Sequence, residues 1–225
     1  MNGSEMKGMI KDTLIMFAIT LIAGLLLGFT YELTKEPIAK QEQEASDRAC
    51  AEVFYEADAN GELQKVVDLT FEEAAADEAL SAKLKEDGFK GAVIDKVFTA
   101  TDSNGNVYGY VIGVTSKEGY GGDISIYVGI TTDRVVKGTS ILSISETPGL
   151  GMRASEVLVP QFRERKAESF VVTKAGATMD NEIDAITSAT ITSKAYTGAV
   201  NTALHYFDLM SANASGSTNE NGGEN

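Results

Sequence analysis

The sequence predicts an α+β protein: a single N-terminal transmembrane helix and a helical stalk, followed by an antiparallel sheet with flanking helices. Three observations predict it. Thr13 to Tyr31 is a run of nineteen residues without a charge. From about residue 89 to residue 145, β-forming runs alternate with turn residues at hairpin spacing. Finally, Thr192 to about Met210 reads as a closing helix.

Each segment has its own justification. Residues 1–12 form a polar tail. Residues 13–35 form the span: its nineteen uncharged residues at the helical rise reach about 28 Å, close to the hydrocarbon thickness of a bilayer. The run is longer than a signal-peptide core and no Ala-x-Ala site follows it, so an uncleaved anchor is favoured over a leader. Lys7 and Lys11 before the span balance Lys35 and Lys40 after it, so charge bias leaves orientation open. Residues 36–88 read as a helical stalk or linker. Pro37 breaks the helix at its start, Ile38 to Glu56 keeps an apolar face, and Asn60-Gly61 marks a turn. Thr70 and Glu73 match a capping box, with a helix following that ends before Gly88.

The compact domain is expected over residues 89–210. Its strands are Val93–Thr99, Val107–Val114, Asp123–Ile130 and Val135–Ser145, with turns at Asp102–Asn106 and Thr132-Asp133. Ala154 to Arg165 has helical character interrupted by Pro160. Residues 211–225 lack apolar anchors and read as a solvated tail.

Composition narrows the chemistry. Against 19 basic residues stand 33 acidic ones, a net charge of −14, so the chain repels nucleic acid. A single cysteine, Cys50, and a single histidine, His205, allow neither an intrachain disulfide nor a Cys- or His-built metal site. Cys50 reads as a packing thiol and His205 as a structural residue of the last helix. No catalytic side chain is assigned, and any redox chemistry has to come from a bound cofactor.

Three stretches could hold one. Gly119-Tyr120-Gly121-Gly122 is either a tight turn or a backbone that approaches a flat ligand, and alone the turn is favoured. In Glu146-Thr147-Pro148-Gly149-Leu150-Gly151, Pro148-Gly149 suits a type II turn. The same segment also offers a carboxylate, a hydroxyl and an apolar side chain of the kind that suits a heterocycle with an imide edge. Asp184 to Ser193 is either a Ser/Thr-rich capping region or a phosphate site at a helix N-terminus, with Lys194 in the first turn as a cation.

The order of these motifs, with Asp184-x-x-Thr187-Ser188-Ala189-Thr190 last, resembles the FMN-binding domain family of the Rnf and Na+-translocating NADH:quinone oxidoreductase complexes. With one N-terminal span, the chain is most similar to the RnfG group within that family. The resemblance implies that a flavin transferase joins FMN to Thr190 through a phosphodiester, with Asp184, Thr187, Ser188 and Ala189 as its recognition motif. It implies that Glu146, Thr147, Gly149 and Leu150 contact the flavin, with Gly121 and Gly122 nearby. Two positions depart from the family pattern: Ser188, where glycine is frequent, and Ile144, where histidine often stands.

The implied protein is an electron-transfer subunit of an ion-translocating ferredoxin:NAD+ oxidoreductase. It is anchored in the cytoplasmic membrane with its FMN domain on the extracytoplasmic side, and its partners are the other Rnf subunits, the transferase and the lipid bilayer. One alternative is an FMN-carrying subunit of another membrane or extracellular electron-transfer chain. A third reading, an anchored binding or adhesion domain, predicts a colourless protein.

Overall fold

The computed structural model describes residues 3–57, 60, 62–66 and 68–217. The chain divides into two compact units, Met1–Ala45 and Ser46–Asn225. Helix α1, Gly3–Glu52, runs through both.

The first unit is the N-terminal part of α1. It is long and apolar enough to cross a membrane. Leu14, Phe17, Leu21, Leu25 and Phe29 are all exposed, so no protein surface covers them. The hydroxyls of Thr13, Thr20 and Thr30 donate to the carbonyls of Met9, Met16 and Leu26, four residues back. These hydroxyls are thereby satisfied within the helix, as an apolar surrounding requires. The break expected at Pro37 is not present: the helix continues through it. A proline inside a helix removes one hydrogen bond and need not end a helix with many intact turns on either side.

The second unit is built on a five-stranded antiparallel meander, β3 (Thr70–Ala75), β4 (Ala92–Thr101), β5 (Val107–Ser116), β6 (Ile124–Thr131) and β7 (Val136–Ile144), in that spatial order. The four strands from β4 to β7 lie where alternation and turn chemistry place them. Asp102 makes the first hairpin, its Oδ1 accepting from the amides of Asn104 and Asn106 at 2.8 and 2.9 Å. A separate short hairpin, β1 (Tyr55–Ala57) with β2 (Leu63–Lys65), precedes the meander.

β3 corrects the sequence reading. Thr70 and Glu73 form no capping box; they pair with Thr101 and Phe98 of β4. The cap is Asp77, whose Oδ1 accepts from Ala79 and Leu80 at the start of α2, Glu78–Glu86. A sheet edge thus outweighs a local helix signal, and the folded unit begins at Ser46, within the stretch expected as stalk.

Strand residues alternate between two cores. On one face, Val111, Phe98 and Tyr127 pack with Cys50, Val53 and Phe54 from the end of α1 and the residues just after it. On the other, Ile112, Val114, Ile126 and Val128 pack with α4, Thr190–Ser217, and with Leu80 and Leu84 of α2. Cys50 is accordingly a buried packing thiol. Helix α4 also runs through 211–217, where a solvated tail was expected; residues 218–225 and Gly61 lie outside the described residues. Between β7 and α4 the chain makes short helical turns, including α3 (Ala154–Val157), and two brief parallel strands, β8 (Val171–Thr173) and β9 (Glu182–Asp184).

His205 is structural, as expected. It stacks on Phe89 with centroids 4.7 Å apart, and its Nε2 lies 2.9 Å from Asp87 Oδ2. That hydrogen bond, with Lys83 beside it, holds the Asp87 carboxyl below its ordinary value of 3.8. A carboxyl lowered in the folded state stabilises at neutral pH, and the gain is lost as pH falls through the folded value. Asp87→Asn should therefore lower the urea midpoint at pH 7 more than at pH 3. Equal losses at both pH values would refute the linkage.

Candidate functional site

The elements just described converge on one cavity of about 480 Å3, lined by Tyr120, Glu146, Thr147, Leu150, Gly151 and residues 188–192. Three chain segments meet there: the turn before β6, the turn after β7, and the N-terminus of α4.

The turn after β7 has the geometry its sequence implies. The Leu150 amide donates to the Thr147 carbonyl at 3.1 Å, and Gly149 has φ of 75°. Pro148 and Gly149 thus occupy the second and third positions of a turn that needs positive φ at the third. Leu150, 38 % exposed, projects at the cavity. Tyr120 at 70 % and Ile191 at 53 % complete an exposed apolar rim. Exposed apolar side chains gathered around a concave site mark a place where something binds.

The floor is polar. The first i→i−4 bond of α4 runs from Ser193 to the Ala189 carbonyl at 3.0 Å. The amides of Thr190, Ile191 and Thr192 precede it and lack intrahelical acceptors, and these residues line the cavity. Free amides and the positive end of the dipole of a 28-residue helix favour an anion here. Thr190 is half-buried, with its side chain in the first turn.

Several connections fix this helix start. Ser193 Oγ accepts from the Ile186 amide at 2.9 Å and donates to the Ala189 carbonyl at 2.9 Å. One turn on, the buried Tyr196 hydroxyl donates to Thr139 Oγ1 of β7 at 2.7 Å. Gln161 acts like a strand partner to Asp184: its Oε1 accepts from the Asp184 amide at 2.7 Å and its Nε2 donates to the Asp184 carbonyl at 3.2 Å. Further along, Arg134 forks onto Asp208 at 2.6 and 2.8 Å and donates to the Ala167 carbonyl. Sequence alone singles out none of Tyr196, Gln161 and Arg134. Their partners lie tens of residues away, and no local pattern reveals such pairs.

Of the expected site residues, Thr190, Ser188, Ala189, Glu146, Thr147 and Leu150 come together around the cavity. The others do not line it. Asp184 Oδ1 instead accepts from the Ala177 amide at 2.6 Å. Thr187 is exposed beside the cavity and Lys194 is exposed on the first turn of α4. Gly149 shapes the turn, while Gly121 and Gly122 carry backbone around Ser145. Ile144 packs against the core.

Ser188 adopts φ of 63°. For a residue with a Cβ this left-handed conformation costs about 1–2 kcal/mol, which is the physical reason a glycine suits the position. Ser188→Gly should raise stability by about 0.5–1 kcal/mol after the added freedom of the unfolded chain is subtracted. Ser188→Val should lower it by about 1 kcal/mol, because a β-branched side chain tolerates that region worst. Thermal midpoints of the two variants check both signs.

Comparison with known proteins matches this arrangement. The FMN-binding domain family matches residues 119–205, which contain all three cavity segments, and the RnfG N-terminal region matches residues 1–53. Over 209 residues the chain is 32 % identical to the G subunit of the Na+-translocating ferredoxin:NAD+ oxidoreductase complex of Acetobacterium woodii, covering 92 % of this chain and 95 % of that one. It is 42 % identical over 110 residues to the G subunit of the proton-translocating ferredoxin:NAD+ oxidoreductase complex of Clostridium ljungdahlii, covering 48 % of this chain and 58 % of that one. It is 28 % identical over 204 residues to the G subunit of the ion-translocating oxidoreductase complex of Methanosarcina acetivorans, covering 90 % and 96 %. The crystal structure of NqrC from Shewanella oneidensis superposes with a TM-score of 0.43 at 21 % identity, over 52 % of this chain and 61 % of that one. With its FMN-binding domain and its near full-length similarity to the Acetobacterium woodii protein, the chain belongs to the RnfG family of ion-translocating oxidoreductase (Rnf) complex subunits.

Proposed function

We propose that this chain is a membrane-anchored electron carrier that holds FMN covalently, through a phosphodiester between the flavin phosphate and Thr190 Oγ1. The observation that carries the reading is the position of Thr190. It lines the cavity in the first turn of α4, next to amides that precede the helix's first internal hydrogen bond. A phosphate bonded there meets free donors and a favourable dipole, and the apolar rim of Tyr120, Leu150 and Ile191 offers cover for a planar ring. Bound FMN supplies the redox chemistry; the chain supplies attachment, orientation and a fixed location.

Thr190 does not activate itself. A threonine hydroxyl is a weak nucleophile near neutral pH, and among the described residues no histidine or cysteine lines the cavity. A separate flavin transferase is therefore the partner that makes the bond: the Thr190 oxygen attacks the phosphorus of an FMN unit carried on an activating phosphate leaving group, the bond from phosphorus to that group breaks, and the hydroxyl proton is released. The exposed apolar surface of α1 supports residence of that helix in a lipid bilayer; the extracytoplasmic placement of the FMN domain follows the family resemblance alone. The remaining partners are the other subunits of an Rnf complex carrying electrons between ferredoxin and NAD+. The similar proteins from Acetobacterium woodii and Clostridium ljungdahlii are named for Na+ and proton translocation respectively, and this chain is read as an electron relay in a complex of that kind.

The test is to produce the full chain with and without a flavin transferase, and to denature it. Flavin fluorescence that stays with the denatured polypeptide, and a mass increase equal to FMN less water, are expected only with the transferase. Flavin that washes away on denaturation would refute covalent attachment.

A further inference from the structure

Glu146 lines the cavity, where the resemblance implies a flavin contact, and its carboxylate also binds backbone. Oε1 accepts from the Tyr120 amide at 2.7 Å, and Oε2 from the Gly121 amide at 3.3 Å. Glu146 is only 7 % exposed, so these two successive amides bind a nearly buried anion, as backbone nests do.

The glycines around it now have a reason. A Cβ at Gly119 would lie 2.9 Å from Glu146 Oε1 and collide with the Gly122 carbonyl. At Gly121 it would collide with the Ser145 carbonyl, beside Glu146 Cα at 3.2 Å. At Gly151 it would lie 2.7 Å from Glu146 Cβ and 2.9 Å from Oε2. Glycines from two separate motifs thus wall one carboxylate. Both motifs read from sequence as candidate ligand cradles; in three dimensions one glycine of each, Gly119 and Gly151, leaves room for the Glu146 side chain.

We propose that Glu146 is a positioning residue. Its carboxylate fastens the Gly119–Gly122 turn to the turn that carries Leu150, and so sets where Tyr120 stands at the cavity mouth. Tyr120 is the most exposed apolar side chain of the rim, and its amide is held by this carboxylate. The link between the two loops is what keeps the rim in register with Thr190 across the cavity. The consequence for the flavin rests on the FMN reading above; the clamp itself does not.

Two measurements on the full chain in detergent separate these. In flavin-free protein, amide hydrogen exchange at Tyr120 and Gly121 should accelerate roughly tenfold or more in Glu146→Ala, since charge-assisted bonds protect both. Glu146→Gln leaves one acceptor for two amides, so their combined protection should fall by less. Unchanged exchange at both amides in Glu146→Gln and in any folded Glu146→Ala would overturn the clamp. In flavin-loaded protein, Tyr120→Leu should raise folded-state flavin emission by removing a quenching phenol. Glu146→Gln should shift emission in the same direction, and Glu146→Asp, which keeps the charge, should fall between it and the parent. Emission equal to the parent in Glu146→Gln, while Tyr120→Leu changes it, would overturn the positioning role. Absence of covalent flavin in the parent would defeat the Thr190 reading and leave the exchange result standing.

Discussion

Thr190→Ala should abolish transferase-dependent flavin on the denatured chain, while Thr190→Ser should retain it. The expected loss is complete, more than about 100-fold in gel fluorescence, because removing the oxygen removes the nucleophile itself. Folding should be nearly unaffected: at the first position of a long helix, alanine is the better helix former by about 0.5 kcal/mol.

Competing hydroxyls make the experiment sharp. Ser193 is buried and both accepts and donates a hydrogen bond. Thr192 lines the cavity but is 1 % exposed, which keeps it from a second protein's active site. Thr187 lies outside the lining. Ser188 and Thr147 are the serious rivals, both exposed and in the lining. Ser188→Ala and Thr147→Ala should each load normally, and flavin persisting on Thr190→Ala would move the attachment to whichever of these two abolishes it when removed as well.

The sheet was the readable part of this chain because its evidence is local. Val107 to Val114 carries β-branched and aromatic residues between turn formers, and Asp102 closes its hairpin through bonds two and four residues away. Signals of the same local kind misled at Thr70 and Pro37. The capping pattern at Thr70 could not register that β4 offers an unpaired edge, and Pro37 could not register the many helical turns on both sides of it. The C-terminal extension of α4 was hidden because small polar residues at 211–217 resemble linker composition while remaining able to continue a helix already formed.

The site divides along the same line. Pro148-Gly149 and the hydroxyl cluster before α4 were visible as turn and capping chemistry, and Thr190 was separated from its neighbours by family pattern. The use of Glu146 was not visible, since a carboxylate among glycines fits a ligand cradle and a backbone clamp equally well in one dimension. Tyr196, Gln161 and Arg134 hold the site from a distance, through partners 57, 23 and 74 residues away.

The second large effect concerns two glycines that have no part in the cavity. Gly129 of β6 and Gly138 of β7 are cross-strand partners, and both face Val53, which is fully buried. A Cβ at Gly129 would lie 2.8 Å from Val53 Cγ2, 2.9 Å from its Cβ and 3.0 Å from its carbonyl oxygen; one at Gly138 would lie 2.9 Å from that oxygen. The glycine pair forms a dent in the sheet that receives the chain just after α1. Alanine there gains strand propensity worth about 0.5–1 kcal/mol, but the overpacking cost is larger, of order 1–3 kcal/mol. Either Gly129→Ala or Gly138→Ala should therefore destabilise by about 1 kcal/mol net, roughly 2–5 °C in thermal midpoint for a unit of this size. The two should differ in rescue. Val53→Ala removes the methyl nearest Gly129, so the double variant should cost less than the sum of the singles by about 1 kcal/mol. The clash at Gly138 is with backbone, which no change at the Val53 side chain relieves, so that double variant should be additive. Equal coupling at both positions would mean that the sheet yields as a whole, and that Val53 is not held by the dent.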